Sequence, residues 1–212
     1  MRLLSPRFIL IAFATSFLAT AGVITSNSVG EVENNFANFA LGQSVTTPSG
    51  GPWQNITFNL VNGASSTQGG AGTPLASGTL FLLTQLYFGL PASLSTLTPG
   101  FVANTSTVSS GKWVFDPSVT LAPSTQYFFY MATLLPTGTV VRFSDVNPYA
   151  GGSFIRNAGD GTSFLAPFAP SDGAFSLEGT TTTPEPSTFL MLGTAVAAVL
   201  ARRRGARGCF ER

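Results

Sequence analysis

The sequence predicts an all-β fold: an antiparallel β-sandwich of jelly-roll type, flanked by an N-terminal signal helix and a C-terminal transmembrane helix. Three observations support this prediction. The chain contains 23 glycines and 14 prolines, which divide it into short segments. Several of these segments alternate apolar and polar residues, as strands with one buried face do. The chain also has 19 phenylalanines, enough to fill a core between two sheets.

The predicted strands begin after a polar segment, residues 22–35, which we expect to be flexible. In the second predicted strand, Ile56, Phe58 and Leu60 recur at every second position and so face one side of a sheet. Residues 127–131 are apolar throughout, which indicates a strand buried on both faces. A single domain is therefore expected over 36–179, with strands at 38–46, 54–61, 78–88, 111–115, 126–133, 139–143 and 174–178.

The N-terminal 21 residues have the pattern of a signal peptide. Arg2 and Arg7 precede an apolar run, and the small residues Ala19 and Ala21 occupy the positions that signal peptidase reads. The alternative is an uncleaved membrane helix. The run is short for crossing about 30 Å of hydrocarbon, and no basic flank follows it. We therefore expect signal peptidase to cleave after Ala21.

A second apolar run, residues 187–201, carries no charged side chain. As a helix it would span about 22 Å, a short transmembrane segment. Arg202, Arg203 and Arg204 follow it directly. Because basic clusters stay on the cytoplasmic side, the body is expected on the far side of the membrane. Residues 205–212, which include the single cysteine Cys209, then form a cytoplasmic tail.

The residues before this run form a threonine spacer, 180–183, followed by Pro184, Glu185, Pro186 and Ser187. Each proline fixes its own φ and lacks an amide N–H, so the segment favours an extended conformation that an enzyme groove can bind. The alternative is a simple linker. The full order of spacer, Pro-Glu-Pro-Ser, short apolar run and arginine cluster over 184–204 resembles the PEP-CTERM sorting signal. The resemblance implies processing near the tripeptide by an exosortase, a membrane-embedded, cysteine-dependent enzyme.

Three stretches of the body, 41–48, 122–130 and 172–180, resemble the choice-of-anchor domains. These are β-sandwich modules of bacterial surface proteins that carry interchangeable anchors. The resemblance covers roughly residues 36–179. It implies a fold and a location at the cell surface, and it implies no common activity.

Charge and composition exclude several functions. Between residues 22 and 183 the chain has seven acidic and three basic residues, a net charge of −4, which offers no basic surface for nucleic acid. The sequence has no histidine, and its one cysteine lies in the tail. Ser-His-Asp, Cys-His and zinc sites are therefore excluded. A carboxylate pair for glycoside hydrolysis stays open, but the spacing of the acidic residues does not favour one.

Two kinds of ligand site stay open. Exposed aromatic rings stack on sugars, so the candidate carbohydrate-binding residues are Trp53, Trp113 and Tyr149, although burial in the core is favoured for both tryptophans. Oxygen donors near glycines favour either a structural calcium ion or ordinary turns; the candidates are Asp145, Asn157, Asp160 and Asp172.

The expected function is that of a non-enzymatic exported protein without a cofactor. It would be anchored transiently in the inner membrane and then reside at the cell surface or in the extracellular matrix. The alternative is a carbohydrate-binding module that engages exopolysaccharide.

Overall fold

The computed structural model describes residues 21–28, 32–61, 74–137, 139–168 and 170–181. The predicted signal helix, Ala19 and the predicted transmembrane segment at 187–201 lie outside these ranges. Within them, no helix has the length and apolar character needed to cross a membrane.

The described residues form strands joined by loops, with one 3-10 turn at Pro91–Ser93. In chain order the strands are β1 Gly22–Asn27, β2 Val32–Asn35, β3 Leu41–Thr46, β4 Trp53–Val61, β5 Pro74–Leu75, β6 Leu80–Leu83, β7 Phe101–Thr105, β8 Val108–Ser109, β9 Lys112–Val114, β10 Gln126–Met131, β11 Val140–Ser144, β12 Phe154–Arg156, β13 Asp172–Gly173 and β14 Phe175–Thr181.

These strands pair antiparallel in three sheets. The first has the order β1-β14-β4-β9-β8, with β5 also paired to β4. The second has the order β12-β3-β10-β6-β7, and the third β13-β11-β2. The predicted all-β antiparallel class is therefore confirmed, while the jelly-roll connection stays a prediction.

The first and second sheets face each other across one apolar core. Phe58 of β4 and Phe129 of β10 stack at its centre, with ring centroids 4.1 Å apart and planes within 3°. Trp113, Phe115 and Phe175 pack around this pair. Alternation along β4 places Ile56, Phe58 and Leu60 on this inner side, as the sequence pattern predicts.

The second sheet is buried on both faces, which confirms the prediction for residues 127–131. Phe128 and Tyr130 of β10 point away from the main core into a second apolar cluster. The loops that contain Tyr87 and Phe164 cover this cluster, and the Tyr130 hydroxyl accepts a hydrogen bond from the Tyr87 backbone N–H at 3.0 Å. Burial of that hydroxyl raises the pKa of Tyr130 to about 12.

Strands also form where the sequence predicts none. β1 pairs with β14 and β2 with β11, so the prediction of a flexible segment over 22–35 is wrong for both strands. Ladder hydrogen bonds order these polar residues, and Ile24 adds an apolar contact with the main core. At the other end of the body, Thr180 and Thr181 belong to β14. The body therefore extends to Thr181, two residues beyond the predicted limit.

The predicted strand 78–88 is shorter than expected. It becomes β6, which ends at Leu83, because the Thr84 N–H bonds across the loop to the Gly100 carbonyl at 2.8 Å. The Tyr87 N–H then bonds to the hydroxyl of Tyr130 rather than to a neighbouring strand.

Candidate functional site

The chain leaves the sandwich towards the predicted sorting tail at the end of β14. Pro184, Glu185, Pro186 and Ser187 lie outside the described residues, as do Arg202, Arg203 and Arg204. The last described residue is Thr181, which pairs with Trp53 of β4.

The end of β14 is held firmly against β4. The Thr180 Oγ1 accepts a hydrogen bond from the Asn55 Nδ2 at 2.9 Å. A bulge lies between Glu178 and Thr180, and a Cβ added to Gly179 would meet the Gln54 carbonyl oxygen at 2.9 Å. Only glycine fits this close approach of two backbones. The last residues of β14 are therefore part of the folded body.

Two loops border this exit. Trp53 exchanges two backbone hydrogen bonds with Leu121, at 3.0 and 2.9 Å, which joins the loop 121–125 to β4. The Ser124 N–H bonds to the Pro48 carbonyl at 2.9 Å, which joins the same loop to the loop 47–52. We call the exposed, uncharged residues of these loops the exit surface; they are Pro48, Ser49, Gly50, Ala122, Pro123 and Ser124.

The N-terminal strand starts at the same end of the sandwich. Gly22 pairs with Gly179, two residues before the end of β14, because β1 and β14 run antiparallel. The predicted signal peptidase site at Ala21 and the chain exit at Thr181 therefore lie close together. Ala21 is exposed, as a cleavage site requires.

A polar cleft of about 540 Å³ opens where the edges of the first and second sheets meet. Asn104 and Ser106 are both exposed. Within the part of the chain that the structure describes, their side chains form no hydrogen bond. Asp116 accepts hydrogen bonds from the Ser118 N–H and hydroxyl, which lower its pKa. The cleft is lined by Thr79, Asn104, Thr105, Ser106, Thr107, Val114, Phe115, Asp116 and Pro117.

The predicted carbohydrate-binding aromatics are not brought together on a surface. Trp113 is completely buried and donates its indole N–H to the Gly78 carbonyl at 3.1 Å, and Trp53 is only 5% exposed. The prediction of a ligand-binding role is therefore wrong for both tryptophans, because their rings complete the core. Among the described residues, the exposed aromatic rings are instead those of Phe88 and Phe168, at 54% and 48% exposure. Both lie in loops, where no alternating sequence pattern marks them as candidates.

Tyr149 ties a loop to the second sheet rather than presenting its ring. Its hydroxyl donates to the Thr46 carbonyl at 2.8 Å and accepts from the Thr46 N–H at 3.1 Å. The ring packs edge-on against Phe175, with centroids 5.2 Å apart. Burial raises the pKa of the Tyr149 hydroxyl. A structural role accounts for these contacts.

Asn157 and Asp160, two of the four predicted calcium ligands, lie in one turn. The Asn157 Oδ1 accepts hydrogen bonds from the backbone N–H groups of Ala40 and Gly159, at 3.0 and 3.2 Å. Asp160 follows with a φ of 48°, in the left-handed region that Asp tolerates in turns. The oxygen of Asn157 is thus occupied by backbone donors, which favours the turn interpretation.

Asp145 and Asp172, the other two predicted ligands, lie next to β11 and in β13 respectively. Asp172 is buried, and its carboxylate accepts from the Gln43 Nε2 and from the Tyr149 N–H, both at 3.1 Å. Burial is the main cause of its raised pKa. Asp145 is exposed in the loop after β11. Over the described ranges, no three His, Cys, Asp or Glu side chains are grouped to hold a metal ion, so the geometry gives the calcium prediction no support.

Comparison with protein families identifies a PEP-CTERM protein-sorting motif at residues 182–204. The match starts at the residue directly after β14 and ends at Arg204, so the predicted resemblance of the tail is confirmed. The motif implies export and a membrane-anchored sorting signal. The all-β body is consistent with the choice-of-anchor resemblance. Comparisons of the chain with curated proteins and with solved structures gave no match.

Proposed function

We propose that this chain is a non-enzymatic protein of the cell surface or extracellular matrix, delivered there through its C-terminal motif by an exosortase-like membrane enzyme. The observation that carries the proposal is the sorting motif at 182–204, which follows the last strand without a gap. A folded domain and a sorting signal are thus joined directly, as expected for a cargo and its address.

The proposed sequence of events follows from the properties of the tail. After export and cleavage by signal peptidase, the apolar run 187–201 holds the chain in the inner membrane, with Arg202, Arg203 and Arg204 on the cytoplasmic side. Pro184 and Pro186 keep the intervening Glu185 extended. The enzyme binds this extended segment and severs the chain nearby, which releases the body from its anchor.

The composition and contacts of the body support a role without catalysis. The sequence has no histidine, and its one cysteine lies beyond the sorting motif. Asp172 is buried among neutral donors, Glu178 is paired with Lys112 at 2.6 Å, and Asp116 binds Ser118. Each of these carboxylates is engaged in a local structural contact.

Replacement of Pro184, Glu185 and Pro186 by alanine tests the sorting proposal in the native host. Full-length protein with a tag at each end is followed by immunoblot. We expect the wild type to lose its C-terminal tag and the variant to keep it in the membrane fraction. The matched control, Asp145→Ala with Pro148→Ala, removes an exposed acid and an exposed proline from a loop of the body and should be processed normally. Equal tag loss in the wild type and the motif variant would refute the proposal.

A second candidate function, binding of an extracellular polysaccharide, is favoured by the polar cleft. Its exposed Asn104 and Ser106 side chains are available as donors and acceptors, and Val114 and Pro117 supply apolar wall. Sugars present alternating hydroxyl and apolar surfaces, which suits such a lining. This site differs from the predicted tryptophan site, whose rings are buried.

Binding of the processed protein to the exopolysaccharide of its host tests this candidate. We expect Asn104→Ala with Ser106→Ala to weaken binding by about ten-fold, because each lost hydrogen bond contributes about 0.5–1.5 kcal/mol. The control, Gln126→Ala with Ser163→Ala, changes two exposed polar residues outside the cleft. Unchanged affinity of the cleft variant would exclude the cleft as the binding site.

A further inference from the structure

We infer that the exit surface contacts the membrane enzyme while that enzyme binds the sorting motif. The inference rests on the proposed function and adds to it a specific interaction surface on the folded body. Its basis is the length of chain between the last fixed residue and the motif, together with the shape and charge of the surface around the exit.

The tether between β14 and the Pro-Glu-Pro tripeptide is very short. Thr181 is paired with Trp53, and Pro184 is the third residue after it. Even a fully extended chain gains only about 3.3–3.6 Å per residue, so Pro184 lies within about 11 Å of Thr181. A groove that encloses Pro184, Glu185 and Pro186 must therefore come close to the end of the sandwich.

The exit surface lies within a similar distance of Thr181. Trp53 pairs with Thr181 on one side and with Leu121 on the other. Neighbouring strands are about 4.8 Å apart, which places Leu121 about 10 Å from Thr181. Ala122 and Pro123 follow Leu121 directly. An enzyme groove that encloses the motif on the side of Trp53 and Leu121 must therefore contact the exit surface.

Fraying of β14 would lengthen the tether, but contacts along the strand oppose it. Thr180 is bonded to Asn55, and Gly179 lies tightly against Gln54. One residue earlier, Glu178 forms the 2.6 Å ion pair with Lys112. Each residue released would extend the tether by only about 3.4 Å. Substantial slack would therefore require the loss of all these contacts.

The exit surface is suited to close approach by a protein. Its six residues are uncharged, and their side chains are small or, in the prolines, compact. Its two loops are fixed to each other, since the Thr47 Oγ1 also donates to the Ala122 carbonyl at 2.7 Å. Such a surface presents neither charge to be desolvated nor long side chains to be ordered on contact. We therefore propose that the exit surface contacts the outward-facing part of the enzyme.

The position of the N-terminus agrees with this orientation. Gly22 pairs with Gly179 at the same end of the sandwich, so both membrane-directed segments leave from one side of the body. This end therefore faces the membrane for as long as either segment is held there, and the enzyme embedded in that membrane approaches it first.

The test uses full-length chains in the native host and measures the rate of C-terminal tag loss after a pulse of synthesis. Ser49→Arg with Ala122→Arg places two long cations on the exit surface. We expect about ten-fold slower processing, the change produced by losing about 1.4 kcal/mol of binding. The matched control, Ser163→Arg with Ala158→Arg, makes the same substitutions at exposed positions in the loop after β12, at the opposite end of the second sheet.

A third chain combines the exit-surface substitutions with ten Gly and Ser residues inserted after Thr181, between β14 and the motif at 182–204. We expect the longer tether to restore processing, because the enzyme then reads the motif away from the body. Wild-type speed in the exit-surface variant would overturn the inference. Slow processing that the insertion does not rescue, in a chain that resists protease like the wild type, would also overturn it. Tag loss that is equal in the wild type and in the alanine variant of Pro184, Glu185 and Pro186 would instead overturn the proposed function.

Discussion

The body and the tail of this chain differ in how their sequences encode their roles. In the body, residues far apart in sequence meet in one core; Phe58 and Phe129, for example, stack across two sheets. In the tail, residues 182–204 match a sorting motif whose parts are recognised by their linear order in the sequence. A short stretch of sequence therefore identifies the address, whereas the properties of the body depend on its three-dimensional packing.

The largest effect on the body is expected from loss of the central ring stack. Phe129→Ala should lower the free energy of unfolding by about 3–5 kcal/mol, because it removes a completely buried ring and leaves a cavity. Chemical denaturation of the chain measures the change. Phe88→Ala, at a ring that is 54% exposed, should change it by less than about 0.5 kcal/mol. Equal losses in the two variants would contradict the proposed core.

A smaller effect is expected at β1, the first strand of the body. Ile24→Ala should lower the free energy of unfolding by about 1–2 kcal/mol, since the side chain packs on the main core. Val23→Ala, at the neighbouring position that is 61% exposed, serves as its control and should have almost no effect. If Ile24→Ala were equally silent, β1 would contribute nothing to the stability of the body.

The smallest effects concern Glu178 and Asp172, whose contributions to the free energy of unfolding depend on pH with opposite sign. The pKa of Glu178 is lowered, chiefly by Lys112, so its stabilisation is present above the unfolded value of 4.5 and is lost as the pH falls. The pKa of Asp172 is raised by burial, so its contribution is largest below 3.8 and declines as the pH rises through the folded pKa.

Denaturation of Glu178→Gln and Asp172→Asn across pH 3–7 separates these two contributions. We expect Glu178→Gln to cost about 0–1 kcal/mol at neutral pH, as for other ion pairs near the protein surface, and less in acid. The difference between the wild type and Asp172→Asn should change in the opposite direction with pH. Parallel profiles for the two variants would contradict the assigned environments.

The sequence predicts the strands whose pattern is strong. Alternation at Ile56, Phe58 and Leu60 predicts β4, and the apolar run at 127–131 predicts β10 and its burial on both faces. β1 and β2 escape prediction because they are rich in polar residues, and pairing with distant strands orders them. Such partners lie more than 100 residues away in sequence, and no local pattern reveals them.

Some candidate sites can likewise be recognised from the sequence, whereas others become visible only in the structure. The tail motif can be recognised from sequence, because its parts occur in a fixed order. For Trp53 and Trp113 the sequence leaves both a core role and a ligand-binding role open, because an aromatic residue in a strand has the same sequence signature whether its ring points into the core or out to solvent; the structure shows the core role. The exit surface also had no signature in the sequence. It arises where the loops 47–52 and 121–125 meet, and only the pairing of Trp53 with Leu121 and Thr181 brings them to the chain exit.

The most direct test of the central claim is to determine the C-terminus of the protein recovered from the cell surface or matrix. Because no Lys or Arg lies between Arg156 and Arg202, trypsin releases residues 157–202 as one peptide from an unprocessed chain. We predict that mass spectrometry of the delivered protein finds this peptide truncated near Pro184, Glu185 and Pro186, without the apolar run. Recovery of the intact 157–202 peptide from surface-delivered protein would contradict processing at the motif.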